Sequence, residues 1–220
     1  MTVLAVTGLT KEAGIVGVAG VIAVAGGGDS VGLAAKLNAL HGDISGVISI
    51  GLAGALSPHL KVGDVLIADQ IITGAESWDC HEGWRVRLMS RLAHAHQGQL
   101  FGSDVIIENA QTKSGLYDAT GALAVDMESQ VAARFATLRN VPLAGLRVIS
   151  DDASHVLPPA AMVAMKPDGG IAIDRVLGSL LRRPLQVPAL IRTARASNKA
   201  FAELLRCRDL CGVGIAGLDL

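Results

Sequence analysis

Val125-Asp126-Met127-Glu128-Ser129 and, further along, Arg147-Val148-Ile149-Ser150-Asp151-Asp152 each join an apolar run to carboxylates. An apolar strand that ends in an acid holds that acid at the lip of a pocket. Two acids held this way can divide the breaking of a polar bond, one gripping hydroxyls and the other supplying a proton. Outward from these stretches the same grammar repeats. Val3 to Thr7, Val21 to Ala25, Val47 to Ile50, Val65 to Ile72, Gln99 to Ile107, Ala122 to Val125 and Pro142 to Ser150 read as strands. Between them, Ser30 to His41, Trp84 to His96 and Met127 to Leu138 carry helical spacing, with Asp29 or Ser30 as the cap of the first. Ile171 to Leu181 and Pro184 to Arg206 close the chain as helices. Strand and helix in alternation predict an α/β fold: one three-layer α/β/α domain over residues 1–220, with a twisted mixed sheet and its ligand at strand ends.

Composition agrees. The 220 residues are 50% hydrophobic but only 3% aromatic, with 26 glycines, the vocabulary of buried strands and closely packed helices. A net charge of −1 gives no nucleic-acid signature. Cys80, Cys207 and Cys211 have no framework spacing and read as reduced thiols. The uncharged run from Ala13 to Gly28 is too short and glycine-rich to span a bilayer, so a cytoplasmic protein is expected. His94-Ala95-His96 and Cys80-His81 supply no four-ligand set, and no metal is expected.

Several motifs share an order and spacing over about residues 1 to 155. They are Thr7-Gly8-Leu9-Thr10-Lys11-Glu12, Gly51-Leu52-Ala53-Gly54-Ala55-Leu56, Lys61-Val62-Gly63-Asp64, Ser103-Asp104-Val105-Ile106-Ile107, Ala124-Val125-Asp126-Met127-Glu128-Ser129 and Arg147 to Asp151. Together they resemble the purine nucleoside phosphorylase and methylthioadenosine/S-adenosylhomocysteine nucleosidase superfamily. Within it the chain is most similar to the hopanoid-associated phosphorylases. That likeness rests on Val6-Thr7-Gly8-Leu9, Gly26-Gly27-Gly28, Leu157 to Met162, Met165-Lys166-Pro167-Asp168-Gly169 and Leu180-Leu181-Arg182-Arg183-Pro184.

The resemblance implies roles. Asp151 would protonate the leaving purine, oriented by Ser150, and burial or a neighbouring acid would keep its proton in place. Glu128 would accept the two ribose hydroxyl protons, with Met127 on the sugar face and Asp126 a first-turn acid of the helix. Glu12 would activate water. Ile106 and Ile107 would present backbone to the purine edge, with Phe101 as a possible stacking partner and Asp104 fixing the loop. Leu9, Leu52, Gly54 and the segment from Val156 to Met165 would line the rest of the pocket.

Two questions stay open at the level of sequence. Gly27, Gly28 and Ser30 could offer donors to inorganic phosphate as co-substrate, whereas Leu52, Ser49 and Glu12 lean toward water. The resemblance implies no other cofactor. The substrate implied is adenosylhopane, a lipid-linked nucleoside that would lose adenine. Ordinary methylthioadenosine or S-adenosylhomocysteine salvage is the alternative, and a nucleoside- or lipid-binding module without catalysis is a third. Arg182, Arg183, Arg192, Arg195, Lys199, Arg206 and Arg208 sit among Leu180, Leu181, Leu185, Ile191 and Leu205, a pattern suited either to a helix packed on the sheet or to anionic lipid. The family resemblance also implies a homo-oligomer.

Overall fold

The computed structural model describes residues 2–162, 166, 168–170 and 172–217. The strands are β1 (Val3–Thr7), β2 (Val21–Ala25), β3 (Gly46–Ala55), β4 (Val65–Ile72), β5 (Ser77–Asp79), β6 (His96–Gly102), β7 (Ala124–Asp126) and β8 (Leu143–Asp151). The helices are α1 (Thr10–Val16), α2 (Ser30–Asn38), α3 (Glu82–Arg91), α4 (Ala110–Thr120), α5 (Ser129–Arg139), α6 (Pro159–Met162), α7 (Ile173–Arg182) and α8 (Val187–Cys211). The expected α/β architecture, a mixed sheet flanked by helices, is what forms.

β1 explains the layers. All five of its residues are buried, because a strand covered on both faces can be apolar throughout. Its side chains alternate between two cores. Leu4 and Val6 pack with Leu33, Leu37, Val131 and Phe135 of α2 and α5. Val3 and Ala5 face the opposite core with Trp84, Leu88, Leu204 and Cys207 of α3 and α8. Each fully buried Leu or Val contributes about 1.5–3 kcal/mol of hydrophobic stabilisation.

β3 is the hinge of the topology. One edge pairs with β8 in parallel from Val47 to Gly54. The other edge pairs first with β1, then with β7 in antiparallel fashion at Gly54 and Ala55. β8 continues to β4, β4 to β6 and β6 to β7, so β3, β8, β4, β6 and β7 form a closed circuit. Between its two partners on one edge, β3 leaves Gly51 and Leu52 unpaired by a strand, and the site uses that gap.

Some boundaries differ from those expected. β3 runs on through Gly51 to Ala55, because β8 lies alongside and keeps the glycines extended. α3 stops at Arg91, and His96 opens β6. α5 begins at Ser129, since Asp126 ends β7 and its side chain caps the helix from outside. α4 was not anticipated, although its punctuation is plain: Asn109 accepts from the Thr112 N–H at 2.8 Å and Gly121 closes it with φ of 73°, the left-handed stop that favours glycine. Asp29, not Ser30, caps α2, accepting from the Gly32 N–H.

The basic C-terminal segment divides in two. The second half of α8 packs on the sheet through Ala200, Leu204, Cys207 and Cys211. α7 buries no residue. Among the described residues, no helix is long and apolar enough to cross a membrane. Met165, expected in the wall, Pro167, expected in a loop, and Ile171, expected to open the first closing helix, lie outside the described residues.

Candidate active site

A cavity of about 240 Å³ opens where β1, β3, β7 and β8 end. Gly8, Leu9, Glu12, Leu52, Gly54, Ile106, Ile107, Met127, Glu128, Ser150 and Asp151 all line it. The sequence-predicted acid, base and sugar-side positions therefore come together from five separate segments.

Glu12 stands in the first turn of α1 and folds back over the start of its own helix. Its Oε2 accepts from the N–H of Gly8 at 2.7 Å and of Leu9 at 3.0 Å. Its Oε1 accepts from Leu52 N–H at 3.1 Å, in the gap left between the two strand partners of β3. The return to Leu9 is the glutamate half of a capping box. A Cβ at Gly51 would sit 2.6 Å from Oε2, so the approach requires glycine there. Burial raises the Glu12 pKa, while Arg147 and the three backbone donors oppose it.

Glu128 approaches from the turn between β7 and α5. Gly28 N–H donates to its Oε1 at 3.2 Å, and Gly26 lies so close that a Cβ would meet Glu128 Cγ at 2.9 Å. Burial, and then the charge of Asp126, push the Glu128 pKa up to about 7, with Glu12 adding to the rise and Arg147 opposing it.

Arg147 is the cation among these acids. It is fully buried in β8, paired with Asp126, and donates to Ser49 Oγ at 2.5 Å. Asp126 also accepts from the Ser129 N–H and hydroxyl. Asp126 is thus a strand-end ion-pair partner and not a first-turn acid. Ser49 is turned toward Arg147 behind the cavity.

Asp151 occupies the other end. A Cβ at Gly54 would come within 3.0 Å of its carboxylate, and the Ser150 hydroxyl lies 2.9 Å from Oδ1, close enough to orient it. The surroundings differ from those expected: the charged neighbour is not an acid but Lys113, whose Nζ lies 2.5 Å from Oδ2. The Lys113 side chain is 1% exposed and also donates to the carbonyls of Asp152 at 2.9 Å and His155 at 3.4 Å. Asp152 itself caps a turn through Ser154.

Other expectations are redistributed. Asp104 holds its loop by accepting from Ser30 Oγ at 2.7 Å and Gln130 Nε2 at 3.2 Å; those bonds lower its pKa. Phe101 packs against Leu56, Ala122 and Val125 and is not among the residues lining the cavity. The possible phosphate donors are engaged: Gly27 N–H with Gly8 carbonyl at 2.8 Å, Gly28 N–H with Glu128, and the Ser30 hydroxyl with Asp104. Gly28 and Ser30 border a separate groove between α2 and α5. Of the expected apolar wall, Leu157 and Ala161 line the site, Val156 faces solvent, and residues 163–165 lie outside the described residues. Lys113, the pairing of Arg147, and Ser197 of α8 at the cavity wall were not foreseen. The caps of α4 were the available signal for the first: they would have set Lys113 on a helix beside the purine-edge loop.

The chain is similar to known proteins in sequence and in fold. The sequence profile of the Phosphorylase superfamily matches residues 12–162. A 5′-methylthioadenosine/S-adenosylhomocysteine nucleosidase from Baumannia cicadellinicola subsp. Homalodisca coagulata is 32% identical over 133 residues, covering 50% of this chain and 58% of that protein. The structure of such a nucleosidase from S. pneumoniae, with the transition-state inhibitor MT-ImmA, covers 96% of this chain and 100% of its own at TM-score 0.64 and 18% identity. A futalosine hydrolase mutant of Helicobacter pylori covers 68% of this chain and 90% of its own at TM-score 0.56 and 18% identity. The two structural likenesses are likenesses of fold.

Proposed function

This chain belongs to the phosphorylase superfamily, and from that premise we propose that it cleaves the N-glycosidic bond of a 5′-substituted adenosine and releases adenine. The observation that carries the reading is the convergence of Glu12, Glu128 and Asp151 on one small cavity. Glu128 grips the ribose hydroxyls, Glu12 deprotonates the attacking water and Asp151 passes a proton to the departing purine. Such acid assistance is worth roughly 10²–10⁴-fold. The named activity of the nucleosidase relative supports the reading.

Water is the favoured nucleophile. The backbone and hydroxyl donors that phosphate would need at Gly27, Gly28 and Ser30 already face protein acceptors, and Asp29 and Asp104 add negative charge there.

Adenosylhopane is the proposed substrate. Leu9, Leu52, Leu157 and Ala161 give the cavity an apolar flank, suited to a hydrocarbon at the 5′ end. α7 adds a second support for a lipid-linked substrate: Ile173, Leu177 and Leu181 recur at helical spacing and are exposed, Leu181 by 86%, with Leu185 beyond them at 95%. Arg182 and Arg183 follow at the end of this stripe. We read α7 as a peripheral contact with anionic lipid at the inner face of the cytoplasmic membrane. The chain is also proposed to form a homo-oligomer through the groove of about 670 Å³ between α2 and α5, lined by Val31, Leu37, Val131, Phe135 and Leu138.

Incubation with adenosylhopane and with methylthioadenosine, each with and without phosphate, tests the core of this reading. Free adenine and a reducing sugar are expected, with adenosylhopane the faster substrate. Ribose 1-phosphate product would overturn hydrolysis, faster methylthioadenosine turnover would favour the salvage alternative, and no adenine from either would overturn the enzyme.

A further inference from the structure

Lys113 is the least expected group near the site. It is a lysine with its side chain sealed from solvent, and its ammonium has three acceptors: Asp151 Oδ2, Asp152 carbonyl and His155 carbonyl. An unpaired charge in such a place would be costly, so the site has been built to hold it. Lys113 does not line the cavity; whatever it does to a ligand, it does through Asp151. The carboxylate lies between them, with Ser150 on Oδ1 and Lys113 on Oδ2.

We propose that Lys113 supplies the proton that Asp151 hands to the leaving purine. The inference rests on the function proposed above. Lys113 passes the proton that points at Oδ2 to the Asp151 carboxylate. As the C1′–N9 bond breaks, its electron pair goes to the purine, and the purine ring nitrogen facing Asp151 takes that proton, which returns Asp151 to the carboxylate. The other two N–H groups stay on the carbonyls of Asp152 and His155, so the neutral amine is still held in place. Water attacks C1′ and gives its own proton to Glu12. After the products leave, Glu12 sheds that proton to solvent, and Asp151, which lines the cavity, takes one up and passes it back to the sealed Lys113, so the proton balance closes. Lys113 is therefore a positioning and proton-supplying residue, and Asp151 alone touches the base.

The test exploits the leaving group. Adenine needs a proton to depart, whereas 4-nitrophenolate leaves as the anion. The wild type, Lys113→Met and Lys113→Arg are compared on a 5′-substituted adenosine and on the 4-nitrophenyl riboside with the same 5′ group. Arginine keeps the charge beside Asp151 but is effectively never deprotonated, so it preserves the ion pair and removes the proton source; it also carries the test if Lys113→Met does not fold.

For both variants the expected loss in kcat with the adenosine is about 10²-fold or more, in the range of general-acid assistance, and exceeds the loss with the nitrophenyl riboside by at least about tenfold. Near-wild-type adenine release by Lys113→Arg would overturn the relay and leave only a charge that positions Asp151. Equal losses on both substrates, in variants whose melting temperatures match the wild type, would reduce Lys113 to a structural role. If the wild type releases no adenine, the function itself falls; if it does and the variants behave in either of those ways, only the relay falls.

Discussion

The two ends of the cavity solve opposite electrostatic problems. At the sugar end, Glu12, Glu128 and Asp126 gather around one guanidinium, Arg147. Negative charge is in excess there, and burial, with the charge of Asp126 behind it, pushes the Glu128 pKa up to about 7. At the purine end, one carboxylate meets one ammonium at 2.5 Å. The first arrangement suits a developing positive charge on ribose, which gains from nearby anions. The second suits a leaving group that arrives needing a proton. In the proposed reaction the ends are matched to opposite charge changes in one bond cleavage.

The strongest attack on this contrast is Asp151→Asn. It should lower kcat for adenine release by about 10²–10⁴-fold, read at a temperature where circular dichroism shows the variant folded, since it leaves Lys113 without its partner; full activity would show that the purine end does not donate. Next in size is Arg147→Leu, which strips the sugar end of its cation. Removing one partner of a buried ion pair costs about 3–5 kcal/mol, so the urea midpoint should fall steeply. A shift too small to measure would mean that Asp126 finds compensation elsewhere.

Titration gives a subtler measure. The Glu128 carboxyl is raised from an ordinary 4.5 to about 7, chiefly by burial. Between those values the folded protein keeps a proton there that the unfolded chain has shed. The stabilisation from this group is thus complete below about 4.5 and is lost as pH rises through about 7. Ribose binding follows the opposite course, because only the ionised carboxylate accepts both hydroxyl protons. KM should rise roughly tenfold between pH 8 and pH 6, and Glu128→Gln should flatten that dependence; a flat wild-type profile would show that Glu128 does not take up the proton. The smallest effect belongs outside both ends. Leu181→Asp on exposed α7 should change stability by less than about 0.5 kcal/mol and leave turnover of a water-soluble substrate intact, while reducing retention on anionic vesicles. Unchanged retention would remove the membrane contact.

Much of this was legible in sequence because strands that end in acids announce both themselves and the site. The runs at Val3, Val21 and Val65 became strands at the expected bounds, and the predicted carboxylates reached one cavity. What escaped was set by partners distant in the chain. Nothing local says that Gly51 to Ala55 stay extended; β8 decides it. Nothing in Val125 to Ser129 says that Asp126 turns to Arg147, since that contact depends on β7 and β8 both approaching β3. Lys113 was missed for a simpler reason: α4 was overlooked, though Asn109 and Gly121 bracket it. The expected acid beside Asp151 was an inference from chemistry alone, and the fold supplies a base-bearing helix in its place.

The closed circuit of β3, β8, β4, β6 and β7 has a consequence for how such a molecule can change. Strand pairing all the way round holds Leu52, Asp126 and Asp151 in register, and Glu128 follows Asp126 by two residues. The wall formed by Leu157, Ala161 and Ser197 hangs from the segment after β8 and from α8, outside that circuit. In the proposed reaction, the acids at the sugar and purine ends thus stand on or beside the circuit, while the wall facing the 5′ group stands outside it. A descendant could exchange the group it accepts at the 5′ end while keeping the cut itself unchanged.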